Sequence, residues 1–124
     1  MGDRPTHFEI PVDDPDRAVR FYSEVFGWTI QAYPGAPTYY GLAGTGDTQP
    51  GIDGALMQRA EGSAVTRITM SVDSIEDASA KIEAAGGKVL QGKMPIPSMG
   101  YFAICEDTEG NQIGLFTSDP TATM

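Results

Sequence analysis

The chain has 124 residues, 40% hydrophobic and 20% charged, enough apolar material for one compact domain or two small fused modules. Seventeen acidic against eight basic side chains leave a formal charge of −9, which repels phosphates and excludes nucleic acid and anionic membrane as expected partners. One cysteine, Cys105, excludes an intrachain disulfide, no run approaches the ~20 apolar residues of a membrane span, and the opening "MGDRPTH" resembles no signal peptide, so a soluble cytoplasmic domain is expected.

The first predicted element is a strand in "HFEIPVD" (7–13), where Phe8, Ile10 and Val12 alternate with His7 and Glu9. A helix follows in "DDPDRAVRFYSEVFGW". Asp14 suits its N-cap, Pro15 its first turn, and Ala18, Phe21, Tyr22 and Val25 form an apolar stripe. Gly27 suits the left-handed position that ends a helix, and Trp28 reads as core or interface. Three short strands come next, in "TIQAY", "TYYGLAG" and "GIDGALMQR", separated by the turn signals "PGAP" and "GTGDTQPG". The second of these turns lacks the lysine and glycine spacing of a phosphate loop. Alternation places one of Tyr39 and Tyr40 on the face of His7 and the other in the packing, without saying which.

The same plan then restarts. "RITMSVD" (67–73) repeats "HFEIPVD" sixty residues later, with Arg67 in the place of His7. The second helix lies in "DSIEDASAKIEAAGGKV", with Ser74 as cap, Asp77 three residues on, a stripe of Ala78, Ile82 and Ala85, and Gly86-Gly87 as its end. Strands are expected in "KVLQG", "GYFAICED" and "NQIGLFTS", with Cys105 packed inside the second. "GKMPIPSMGY" reads as an irregular loop, either a plain connection or an apolar lip, and the tail "DPTATM" as frayed. The predicted fold is α+β, two tandem βαβββ modules at about 5–59 and about 65–118 forming a curved mixed sheet. Phe8, Ile10, Val12, Ile68, Met70, Val72, Ile113 and Leu115 are expected under the two helices.

"HFEIPVDDPDRAVRFYSEVFGW" and "GYFAICEDTEGNQIGLF" together resemble the vicinal oxygen chelate superfamily of glyoxalases, extradiol dioxygenases, fosfomycin-resistance enzymes and bleomycin-resistance proteins. The resemblance covers nearly the whole chain. It implies a concave cleft with helices on the outer face, and in metal-dependent members four strand residues that bind a divalent ion there. The first of those positions maps onto His7. The others map onto Ala55 (or Gly54 after a one-residue slip), Arg67 and Gly114, none of which supplies the family's ligand chemistry. One ligand of four falls short of a zinc or iron site, and a guanidinium repels a cation. No metal and no other cofactor is therefore expected.

Strand parity points His7, Glu9, Ala55, Met57, Arg67, Thr69, Gln112, Gly114 and Phe116 toward the cleft. Met57 and Phe116 would give apolar walls, and small residues at the lost ligand positions would leave room for a ligand. Arg67 would orient an anionic or carbonyl group, or else pair with Glu9 and fill the space. His7 and Glu9 are the candidates for acid/base work. Three functions stay open: a metal-free protein that binds a small organic molecule, a glyoxalase-like lyase or isomerase using His7 and the cleft's polar residues, and an interaction module. A homodimer is expected in each case, with Trp28 and "PIPSMGY" as candidate contacts.

Overall fold

The computed structural model describes residues 3–34, 36, 38–60 and 65–123, which form eight strands and two helices. The turn "PGAP" lies partly outside the described residues, at Gly35 and Pro37, as does Met124 of the tail. The chain divides into two compact units, residues 7–66 and residues 67–124, the second joined by the N-terminal segment up to Thr6. Both carry the βαβββ plan, so the fold is α+β with a duplicated module.

The first module contains β1 (Arg4–Val12), α1 (Pro15–Phe26), β2 (Thr29–Ala32), β3 (Tyr40–Gly44) and β4 (Gly54–Gln58). Its strands lie in the order β2-β3-β4-β1, with β1 and β4 parallel and the other neighbours antiparallel. The helix starts where the sequence predicts: Asp14 accepts a hydrogen bond from the Arg17 N–H at 3.1 Å, satisfying one of the donors left open in a first turn. It stops at Gly27, whose φ of 74° is the left-handed conformation that a residue without Cβ adopts freely.

The second module contains β5 (Arg67–Ser71), α2 (Ile75–Ala84), β6 (Lys88–Ile96), β7 (Gly100–Glu106) and β8 (Gln112–Ser118), with strand order β5-β8-β7-β6. Its parallel pair is β5 with β8, so the sheet is mixed here too. Ser74 accepts from the Asp77 N–H at 3.1 Å. The left-handed glycine after α2 is Gly86, at φ 100°, one residue earlier than a strict sixty-residue repeat of Gly27 requires.

The repeat extends to strand register. Ile10 lies opposite Leu56 as Met70 lies opposite Leu115, and Glu9 lies opposite Ala55 as Thr69 lies opposite Gly114. This pairing makes Ala55, and not Gly54, the counterpart of Gly114.

The second module's core is Val72, Ile75, Ala103, Cys105 and Leu115, with Met70, Ala78, Ile82, Val89 and Ile113 packed against it. Cys105 is inaccessible, as expected, and burial pushes its thiol above its ordinary value, with a smaller push from Glu83. In the first module Val12, Ala43, Ala55 and Leu56 are buried, while Phe8 and Ile10 are only half-buried. Ile68 departs from expectation. It is 43% exposed, because the core covered by α2 reaches Val72 and Met70 and stops short of the residue two places further from the helix.

Two irregular segments are more ordered than the sequence suggests. "GKMPIPSMGY" is not an open loop: β6 runs on to Ile96 and turns directly into β7, with Ile96 opposite Gly100. Register shifts after Val89 and Gln91 absorb the unfavourable Gly92 and Lys93 stretch. The tail is docked as far as Ala122, whose carbonyl accepts from the Ser98 N–H at 3.0 Å and which is 3% exposed.

Candidate functional site

The faces of β1 follow from its alternation. Phe8 packs on Trp28, with ring centroids 5.4 Å apart, and Trp28 stacks on Tyr22 of α1 at 4.8 Å. Phe8 therefore lies on the helix side, and His7 and Glu9 on the opposite side. Gly54 makes this packing possible, since a Cβ there would stand 2.5 Å from the Phe8 ring and from its carbonyl oxygen.

On the side away from α1, three polar groups meet. The Tyr40 hydroxyl donates to Glu9 Oε2 at 2.7 Å and lies 3.0 Å from His7 Nε2. His7 and Glu9 themselves are 3.9 Å apart at their nearest nitrogen and oxygen, too far for a direct hydrogen bond, so Tyr40 bridges them. The Glu9 side chain is 14% exposed and that of His7 31%, so the carboxylate is held inside and the imidazole presents an edge. Met57 pairs in register with Tyr40 across β3 and β4, on the same face.

The choice between the two tyrosines is thereby settled. Tyr40 joins the polar face, and Tyr39 turns to the other, where its ring crosses Gly41 beside Ile30. Burial raises the Tyr39 phenol above its ordinary value, and the negative charge of Asp16 adds to the effect. Tyr40 is the residue that sequence reasoning left undecided. The pairing that fixes its parity runs from β3 to β4 across a turn whose length the sequence does not determine.

The second module carries its own polar set. Arg67 is 6% exposed and donates from Nη1 to Gln112 Oε1 at 3.2 Å, and Thr69 is 8% exposed. Alternation places both on the face opposite Met70, hence opposite α2. Gly114 lies beside Thr69, and a Cβ there would stand 2.5 Å from the Thr69 hydroxyl. The space given up at this position is thus filled by Thr69 and is not open, contrary to the expectation of room for a ligand there. Ala55, at the other lost position, is wholly buried. Phe116 pairs with Ser71 and Phe102 and is half-buried.

The donor set does not fit the divalent ion of metal-dependent relatives. Register places Ala55 and Gly114 at two ligand positions, Arg67 stands at a third, and the remaining His7 directs Nε2 at Tyr40. Among the described residues no group of three or more His, Cys, Asp and Glu side chains is placed to hold a metal.

A duplicated βαβββ fold of this kind, with polar residues on the face opposite its helices, defines the glyoxalase class of proteins. The sequence profile of the Glyoxalase/Bleomycin resistance protein/Dioxygenase superfamily matches residues 4–115, and the chain belongs to that superfamily. It is 33% identical over 104 residues, 82% of its length, to CFP32 of Mycobacterium tuberculosis, which is named as a glyoxylase, and it spans 39% of that relative's length. A glyoxylase-like domain-containing protein of Didymella fabae is 32% identical over 117 residues, 88% of this chain and 89% of the relative.

Solved structures share the fold at lower identity. A Bacillus halodurans protein superposes with a TM-score of 0.73 at 14% identity over the whole of both chains. The methylmalonyl-CoA epimerase of Streptomyces coelicolor, in complex with 2-nitronate-propionyl-CoA, gives 0.67 at 19% identity, again over both whole chains. Among the described residues no helix is long and apolar enough to cross a membrane.

Proposed function

We propose that the protein binds a small organic molecule without a resident metal, using the first module's face that carries His7, Glu9, Tyr40 and Met57. The observation that supports this most is the bridged His7–Tyr40–Glu9 cluster. Where metal-dependent relatives would aim an imidazole at an ion, His7 is hydrogen-bonded to a phenol, and its side chain is still 31% exposed. A few convergent polar groups beside an apolar side chain are what small-molecule sites generally contain. In the second module, Arg67, Thr69, Gln112 and Phe116 form a separate proposed contact set on that module's own face, with Gln112 and Phe116 its more exposed members.

The epimerase structures hold coenzyme A esters, but a chain of net charge −9 opposes so many phosphates. A small carboxylate or carbonyl compound with an apolar part is the better candidate. The test is a thermal-shift and calorimetric screen of such compounds against wild type and His7→Ala. The variant should bind about tenfold more weakly, roughly 1.4 kcal/mol, within the net worth of one hydrogen bond. Equal binding would remove His7 from the site, and no binding from the whole compound class would remove the function.

A second reading is favoured by the same cluster. An imidazole, a phenol and a carboxylate in contact can move protons, so a lyase or isomerase reaction with His7 as base and Glu9 as its support follows. Turnover of a bound carbonyl compound that His7→Ala abolishes would establish it.

A homodimer is also proposed. Phe21 and Phe26 of α1 are 53% and 59% exposed within a run of ring contacts that includes Tyr22 and Trp28, an apolar surface suited to a partner copy. Sedimentation that finds only a 13.2 kDa species at high concentration would contradict it.

A further inference from the structure

We propose that Tyr40 is a positioning residue that holds His7 as its Nε2–H tautomer, so that Nδ1 is the basic nitrogen of the first module's polar face. This deepens the binding reading above and rests on it only for the identity of what meets Nδ1.

The assignment follows from counting protons. A phenol has one hydrogen to donate, and an ionised carboxylate can only accept. At 2.7 Å the Tyr40 hydrogen belongs to the bond with Glu9 Oε2, a charge-assisted contact stronger than a neutral one. The Tyr40 oxygen then faces His7 Nε2, 3.0 Å away, with a lone pair, so Nε2 must supply the hydrogen of that bond. A neutral imidazole carries one N–H, which makes Nδ1 the acceptor. Glu9 cannot impose this order by itself, because it lies 3.9 Å from Nε2.

The arrangement has a chemical consequence. A proton taken from a ligand would land on Nδ1: the ligand's bond to hydrogen breaks, its electron pair stays with the ligand, and an Nδ1–H bond forms. The imidazolium so made keeps its Nε2–H on the Tyr40 oxygen, whose own hydrogen stays on Glu9. The carboxylate's charge is thereby relayed to the ring through one hydroxyl, without any proton leaving the cluster. The same order disfavours coordination of a metal through Nε2, since that nitrogen already holds a hydrogen.

His7 is the single histidine of the chain, so its ring nitrogens are observed without overlap in a 15N-labelled sample of the full chain. On the high-pH plateau of the 15N shifts, where the imidazole is neutral, the wild type should show a protonated Nε2 and an unprotonated Nδ1. Tyr40→Phe should shift the tautomer ratio toward Nδ1–H by roughly three- to tenfold, the range a single net hydrogen bond supports. Glu9→Gln, which retains the shape of the side chain, should shift it in the same direction by less. Circular dichroism establishes that both variants are folded. A wild type dominated by the Nδ1–H form, or a folded Tyr40→Phe variant with an unchanged ratio, would overturn the proposal. Ligand titration is read separately: a locked tautomer in a protein that binds none of the screened compounds would sink the binding function and leave the assignment of Tyr40 standing.

Discussion

The two modules share a plan and a strand register but use their helices differently. In the second, α2 buries Ile75 to 2% exposure and closes a core with Val72, Ala103, Cys105 and Leu115. In the first, α1 buries no residue, and Phe21, Val25 and Phe26 each remain more than half exposed. The polar faces differ in the opposite sense. Arg67 and Thr69 are nearly inaccessible in the second module, whereas His7 in the first presents a third of its side chain. One copy thus closes a core beneath its helix, while the other leaves its helix and part of its polar face exposed. A shared backbone does not impose a shared role on equivalent positions.

The sharpest way to break this comparison is to truncate each helix. Ile75→Ala should cost about 2–5 kcal/mol, as a fully buried large-to-small change does, while Phe21→Ala on α1 should cost under about 1 kcal/mol in urea unfolding at protein concentrations low enough to dissociate the proposed dimer. A Phe21→Ala loss that grows with protein concentration would report α1 covered by a second copy, whereas equal losses at every concentration would contradict the comparison.

The glycines sharpen the comparison at the sheet. Gly114→Ala meets the Thr69 side chain and should cost about 1–3 kcal/mol, in the range of overpacking, with part recovered in a Thr69→Ala background. Gly54→Ala meets the Phe8 carbonyl as well as its ring, so no single side-chain change should rescue it. Rescue by Phe8→Leu would contradict that. A smaller loss, about 1 kcal/mol, is expected when residues 121–124 are removed, since this frees the Ser98 N–H from Ala122.

The smallest expected effect is a pH effect in the second module. Hydrogen bonds from the Asn111 and Glu109 N–H groups hold the Asp107 carboxyl below its ordinary 3.8. A group whose folded value is lowered stabilises the fold above the unfolded value, and that contribution disappears as pH falls through the folded value. Asp107→Asn should therefore lower Tm near neutrality and flatten its fall between about pH 5 and pH 2. An unchanged acid limb would remove Asp107 from the linkage.

Much of this was legible in the sequence because period and capping are local. The Asp14 and Ser74 caps, the left-handed Gly27 and the alternation of β1 need no knowledge of distant partners. What failed depended on reach. Ile68 has the right parity but lies beyond the core that α2 covers. Tyr40 was one of two equivalent tyrosines until the pairing of β3 with β4 chose between them. Gly114 read as vacant space because the neighbouring Thr69, forty-five residues away in the chain, could not be seen to fill it. The extended β6 and the docked tail depend likewise on hydrogen bonds between segments far apart in sequence.

The central claim is that the His7 face binds a small organic molecule without a metal. Titration calorimetry of a hit from the carboxylate and carbonyl screen, run with and without a strong chelator, tests it most directly. The expected result is the same affinity in both conditions, weakened about tenfold or more in His7→Ala, equivalent to roughly 1.4 kcal/mol. Binding that the chelator abolishes and added zinc restores would contradict it.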